Sequence, residues 1–341
     1  MQLDRLPLAA AHCITAYEDR HAAAWDELVS RSQGGTIMHT RRFLSYHGDR
    51  FADESLCFWS EPGGRLEAVL ALARSPGDAA VVVSHPGSTF GGLIEPTIDP
   101  ARRAGLLAAA AGVLLDRGYR SLVYKPSPAI FGAQFDESDL RLMMRVGSVR
   151  RCDLWNFIRL DHHHELAPKR RASVKAAARK GVTVRQAQGD EEWLAFHSLL
   201  TANLASRHAA VPVHSAEEML LLRQRIAGEN ALWLAFDRHG EIVAGTWCFA
   251  YNQRAQHTQY IASSPHGREL GAVDSLLAAV IADAGQRGRN VLSFGINTLG
   301  DGFRVNGNLL KQKLRFGAGV AACWQFDVDL ARLAQVDPGF A

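Results

Sequence analysis

A segment that returns about half a chain length later most constrains how these 341 residues can fold. Asp116-Arg-Gly-Tyr-Arg-Ser-Leu-Val-Tyr124 in the first half matches Gln286-Arg-Gly-Arg-Asn-Val-Leu-Ser-Phe294 in the second. Each segment follows a long apolar helix pattern and ends in an apolar run that reads as a strand. The parallel continues upstream. Ser55 to Ser60, a Pro-Gly-Gly turn and Arg65 to Arg74 read as a hairpin, as do Ala231 to Asp237, Arg-His-Gly and Glu241 to Asn252. A third strand follows each hairpin, Ala79 to Ser84 and Ala255 to Ser263, then a helix and the strand of the repeat. A helical stretch precedes each set, Ala22 to Arg31 and Asp190 to Arg207. The expectation is two related α/β units, residues 1–150 and 151–341. Asp153 to Leu160 is a strand near the boundary, and Leu166 to Gly181 is a short basic helix stopped by a glycine.

Composition narrows the class. The formal net charge is +3, which excludes a histone-like coat on a polyanion and gives no reason to expect DNA as a partner. The five cysteines are scattered, with no CxxC and no histidine at ligand spacing, so neither a zinc site nor a disulfide framework is expected. Their odd number suits a reducing compartment. The N-terminus lacks a basic stretch followed by an apolar run, and the apolar stretch Ala104 to Leu115 is too short to span a bilayer and is interrupted by Gly112. A cytoplasmic protein with no membrane span, free to associate peripherally with a surface, is the expectation. His162, His163 and His164 are consecutive and cannot converge on one ion, so no metal is expected. No GxSxG elbow, phosphate-binding Walker loop or HExxH motif is present.

The second half carries Pro212-Val-His-Ser215, His257-Thr-Gln-Tyr-Ile-Ala-Ser263, Leu270-Gly-Ala-Val-Asp274, Phe294-Gly-Ile-Asn297, Val305-Asn-Gly-Asn-Leu-Leu-Lys-Gln-Lys313 and Phe316-Gly317. The first adds Ser84-His-Pro-Gly-Ser-Thr-Phe-Gly-Gly92 and Tyr124-Lys-Pro-Ser-Pro128. Over roughly residues 30–330 these resemble the FemAB-like branch of the GNAT acyltransferase superfamily, whose members are often linked to cell-surface polysaccharide or cell-wall synthesis. The resemblance implies two tandem GNAT-like domains, each a mixed, mostly antiparallel sheet flanked by helices. It implies N-acyl transfer from acetyl-CoA or another acyl-CoA to an amine of an amino sugar, presented as a small molecule or on a lipid or nucleotide carrier. Two alternatives stay open: a FemAB-type aminoacyl transferase using aminoacyl-tRNA, and a degenerate, non-catalytic GNAT scaffold.

The same resemblance locates candidate residues. The acyl-CoA loop aligns with Arg268-Glu-Leu-Gly-Ala-Val273, where Arg268, Gly271 and Ala272 would cradle the pyrophosphate at a helix N-terminus, although Val273 departs from the small residue of the pattern. An ordinary turn and helix start reads equally well there. The strand running through Ile261 and the one ending at Asn297 would flank the acyl carrier. Strand alternation puts His257, Gln259 and Ile261 on one face, and Thr258, Tyr260 and Ala262 on the other. Gln259 would orient substrate, and Tyr260 would protonate the leaving group. Histidine as a residue type titrates near neutral pH, so His208, His214 and His257 are candidate bases, with Asp274 the carboxylate candidate. Each also fits a bland role at a helix end or in a turn. Arg171, Lys175 and Arg179 fall at i, i+4 and i+8 and form either a solvated face or a phosphate-binding stripe. Asn306, Lys311 and Lys313 complete the substrate-binding candidates, with at least one lysine expected in the cleft. Gly91 and Gly92 are expected to permit a close backbone approach.

Overall fold

In the computed structural model, residues 13–162, 164–300 and 302–337 are described, without the side chains of Arg207 and His208. They form two compact units. One takes the described residues up to Cys152 together with those from Ala322 on, and the other is Asp153–Ala321. The sequence places residues 322–341 in the C-terminal domain. The described part of that segment packs in the first unit, because Phe326, Val328, Leu330 and Leu333 join its core.

The first unit opens with β1 (Cys13–Ala16), α1 (Ala22–Arg31) and α2 (Arg41–Leu44). Then come β2 (Leu56–Trp59), β3 (Leu66–Leu70), β4 (Ala73–Ser75), β5 (Asp78–Val83) and β6 (Leu93–Ile94). α3 (Pro100–Asp116), β7 (Ser121–Tyr124) and α4 (Ser138–Val146) follow. α3 starts where Asp99 Oδ1 accepts from the backbone N–H groups of Ala101 and Arg102, with Pro100 at the first helical position. Its Leu106, Leu107, Ala110, Ala111 and Leu114 recur at helical spacing and line the core. The expected strand Arg65 to Arg74 is two strands. β3 pairs with β2 and β6, whereas β4 pairs with β5. The chain changes sheet at Ala71–Leu72, where Leu72 exchanges hydrogen bonds with Ser55 and Glu54 instead of with a ladder.

β8 (Gly147–Arg159) leads into the second unit. There follow α5 (Pro168–Arg179), β9 (Thr183–Gln186), α6 (Asp190–His208) and α7 (Ala216–Arg225). β10 (Asn230–Phe236), β11 (Ile242–Ala250) and β12 (Ala255–Ser263) form the antiparallel centre. α8 (Pro265–Leu270), α9 (Ala272–Gln286), β13 (Val291–Ile296), the small pair β14 (Thr298–Leu299) and β15 (Arg304–Val305), and α10 (Gly307–Leu314) complete it. β16 (Gly319–Asp329) and α11 (Leu330–Ala334) return the chain to the first unit. Strand order in the second unit is β8-β13-β12-β11-β10-β9, with β12–β13 its parallel pair. The first unit has the order β4-β5-β7-β16, with β5–β7 parallel, and a separate sheet β1-β2-β3-β6. β11 is almost wholly apolar because it lies inside the sheet with both faces covered. Its turn from β10 is set by Asp237, whose Oδ1 accepts from the N–H groups of His239 and Glu241, and by Gly240 at φ +82°.

Candidate functional site

The strands of the parallel pair in the second unit separate early. β12 and β13 are in register only from Ala255–Val291 to His257–Ser293. Beyond that point β13 follows β8 through Gly295–Asn156 and Ile296–Trp155, while β12 follows β11 to Ser263. The last tie is Thr258 Oγ1 donating to Ser293 O at 3.2 Å. Gly295, at φ +69°, turns β13 away, and a Cβ there would sit 3.2 Å from the His257 ring. The result is an opening whose β12 edge carries backbone groups free of a β13 ladder.

A bulge lies on that edge. The register steps from Trp247–Tyr260 to Cys248–Thr258, which leaves Gln259 over. The expected alternation fails at this residue. Trp247 and Cys248 point to opposite faces, so Thr258 and Tyr260 do too, and His257 (opposite Phe249) shares the Tyr260 face. The extra residue cancels one step of the period-2 pattern. On this face the Tyr260 hydroxyl lies 2.8 Å from His214 Nδ1, and the Trp247 ring packs edge-on to His214. His214 is buried, and its carbonyl is 3.0 Å from His197 Nε2. Burial raises the Tyr260 pKa, so the hydroxyl keeps its proton at neutral pH.

His257 forms the floor. Its Nδ1 is 3.0 Å from Ser293 Oγ, its ring stacks on Tyr251, and Trp155 Nε1 donates to the same serine hydroxyl. Burial, aided by the nearby Lys313 ammonium, lowers the His257 pKa to about 3. Such an imidazole is neutral near pH 7 and accepts a proton weakly. Lys313, also buried, donates from Nζ to Gly295 O at 3.0 Å and to Ile296 O at 2.7 Å, and burial lowers its pKa to about 7. Ser293 and Trp155 were not singled out from the sequence. A lone serine inside the apolar run Val291–Ile296 is the available signal.

Several candidates lie elsewhere. Asp274 is buried in an ion pair with Arg170 of α5, whose guanidinium also sits 4.4 Å above the Phe316 ring, so it is not a free base. The loop Arg268 to Val273 is partly filled by α8, with the N–H groups of Gly267, Arg268 and Gly271 bonded to Ser264 and Arg268 oxygens and Arg268 Nη1 folded back onto Ser263 O at 2.9 Å, while the first turn of α9 has no side-chain cap. Gly271 is a left-handed cap at φ +77°, and Ala272 is fully buried. Ile261 packs toward α9. Asn297 is buried, its Nδ2 bonded to Asn156 Oδ1 and its backbone N–H to Leu154 O, so it clamps β13 to β8. Asn306 caps α10 through Leu309 N–H. Lys311 is exposed. Arg171 and Lys175 lie on the exposed face of α5, with Arg171 paired to Glu165 at 2.8 Å. His208 ends α6, and its side chain lies outside the described residues, as does His163.

The parallel pair of the first unit has no such opening. After β5, the chain from Ser84 stays bonded to β7 and its continuation: Ser84 N–H to Val123 O at 2.9 Å and Gly91 N–H to Lys125 O at 2.8 Å. Lys125 Nζ donates to His85 O and Ser88 O within the same loop. Close approach there requires Gly91 and Gly92, whose Cβ atoms would meet Ser84 O and Tyr124 Oη at 3.0 Å.

Residues 168–302 match the family model described as an acetyltransferase (GNAT) domain. Among solved structures the chain is similar to FemX, with 12% identity, a TM-score of 0.69 and coverage of 95% of this chain and 99% of that one. It is similar to L-PGS from Bacillus licheniformis, with 13% identity, a TM-score of 0.59 and 91% of each chain covered. It is also similar to a tandem GNAT protein from the clavulanic acid biosynthesis pathway, with 12% identity, a TM-score of 0.51 and 94% and 99% covered. No curated protein has a sequence similar enough to match. The chain therefore has the fold of these structures, and within its second unit residues 168–302 match an acetyltransferase (GNAT) domain.

Proposed function

We propose that this protein, whose second unit carries a GNAT acetyltransferase domain, transfers an acyl group to an amine in the opening where β12 and β13 part. The observation that carries the reading is the coincidence of that opening with the bulge at Gln259 and the Tyr260–His214 contact. Bulged backbone N–H groups fit the developing oxyanion of acyl transfer. The amine nitrogen attacks the acyl carbonyl, the bond from carbonyl carbon to the carrier's sulfur or oxygen breaks, and the leaving group needs a proton. Tyr260 Oη–H supplies it, and His214 or water takes the proton lost by the amine.

The matched domain supports an acyl-CoA donor, acetyl-CoA first, with an amino sugar or another cell-envelope precursor as acceptor. The fold-back of Arg268 onto Ser263 O favours a second reading, aminoacyl-tRNA as donor, with the exposed stripe Arg171, Lys175 and Arg179 toward its phosphates.

Turnover of acetyl-CoA on a panel of amino sugars, run beside transfer from charged tRNA, separates the two. Salt-sensitive tRNA binding lost in Arg171→Ala/Lys175→Ala supports the second. For the active donor, Tyr260→Phe is expected to lower kcat by about 100-fold or more with little change in KM. Turnover from neither donor would leave a non-catalytic scaffold.

A further inference from the structure

The hydrogen on the His257 ring is fixed by the donors around Ser293. A serine hydroxyl has one hydrogen to give and two lone pairs to accept with. Trp155 Nε1–H and the Gly295 backbone N–H, the latter at 3.2 Å, can only donate, and both reach Ser293 Oγ. They take its two lone pairs. Its remaining contact among the described residues is His257 Nδ1, at 3.0 Å. The serine hydrogen therefore goes to Nδ1, which has to be unprotonated to accept it. A neutral imidazole that accepts at Nδ1 carries its own hydrogen on Nε2.

That hydrogen lies at the opening. The Cε1–Nε2 edge of the ring is turned toward Gly295, where a Cβ would stand 3.2 Å from Cε1 and 4.0 Å from Nε2. Glycine leaves that edge uncovered at the point where β13 parts from β12. Tyr251 holds the ring from one side, with centroids 5.0 Å apart and planes 15° apart. The residue keeps 6% of its surface, and Nε2 is not one of the nitrogens sealed from water without a partner, as Trp233 Nε1 is. The Gln259 carboxamide beside the ring favours a proton on it, though less than burial opposes one. Gln259 is the bulged residue, outside the ladder with β11, so its side chain is able to yield to a substrate oxygen.

We propose that His257 is a catalytic residue, a neutral Nε2–H donor to the carbonyl oxygen of the acyl group, and that Ser293 is the positioning residue that fixes its tautomer. As the amine attacks, that oxygen gains negative charge. The Nε2–H group stabilises it beside the bulged backbone N–H groups and keeps its own proton throughout, so no bond to His257 forms or breaks. The inference rests on the acyl-transfer reading of the opening and deepens it.

Long-range proton–nitrogen NMR of the full-length protein at neutral pH reads the tautomer, with the His257 signals identified by their loss in His257→Phe. The Nε2–H form is expected in the unmodified protein and a mixture of both forms in Ser293→Ala. With whichever acyl donor is active, His257→Phe, which keeps a ring against Tyr251, should lower kcat about 100-fold at little-changed KM. His257→Gln, which returns an N–H donor near the same place, should recover about tenfold of that loss. If His257→Phe does not fold, His257→Gln identifies the signals and the tautomer decides. An Nδ1–H tautomer, an unchanged kcat in His257→Phe, or no recovery in His257→Gln overturns this inference, while turnover by the unmodified protein leaves acyl transfer standing. Turnover from neither donor overturns acyl transfer and this role with it.

Discussion

An ammonium buried on backbone carbonyls, with no carboxylate in its hydrogen-bond set, is an expensive feature to keep, and Lys313 is such a group. Its sequence context shows only two lysines two apart on a short helix, and their helical phase puts them on different sides. Lys311 faces solvent and Lys313 faces Gly295 and Ile296. Which of the two is buried depends on where α10 packs, and nothing local in the sequence encodes that. The folded pKa, near 7, is below the ordinary 10.5. Between those values the unfolded chain binds more protons than the folded one, so this group makes stability rise with pH through that window and decline as pH falls to about 7. Lys313→Met should lack that rise, seen as a flatter difference in urea unfolding free energy between about pH 7 and pH 9.5. It should also cut turnover, because the cation beside the opening is gone.

Elements whose role depends on local pattern were legible. The amphipathic helix Ala22–Arg31 and the hairpin of β10 and β11 lie where periodicity and turn residues put them. Features created by pairing were not. The bulge at Gln259 has no composition of its own, and it alone decides that His257 and Tyr260 share a face. The turn between β12 and α9 is a similar case: Arg268, Gly271 and Ala272 fit a phosphate cradle in one dimension, and in three α8 and the fold-back of Arg268 fill the part before Gly271. α5 lies over that turn through Arg170 and Asp274, each largely withdrawn from water. A buried pair is costly to break from one side and cheap to remove from both. Arg170→Ala is therefore expected to lower stability by about 3 kcal/mol, whereas Arg170→Met with Asp274→Leu should recover most of the loss. Chemical denaturation of the two variants checks this. Equal losses in both would mean that the pair itself stabilises the α5–α9 packing.

Taken across the whole chain, the repeat was legible because both units need the same parallel pair followed by the same helix and strand. Its asymmetry was not. The return of residues from Ala322 to the first unit, and the filling of that unit's mouth by the loop after β5, both depend on long-range contacts. Buried imidazoles follow the same uneven division. Burial lowers His39 to about 4 and His85 to about 3 in the first unit, and His257 to about 3 in the second. Each is neutral in the folded state, whereas an unfolded histidine protonates near 6.5. Between 6.5 and the folded value the unfolded chain binds more protons, so the stability present above pH 6.5 is lost as pH falls toward 3 or 4. At about pH 5 each imidazole costs about 2 kcal/mol relative to neutral pH, so the first unit loses about twice as much from this source as the second. Hydrogen exchange at pH 7 and pH 5 should show amides of α3 and β7 losing more protection than those of α9 and β11. In His39→Gln/His85→Gln the extra loss in the first unit should disappear, and its persistence there would assign the acid sensitivity to the carboxylates instead.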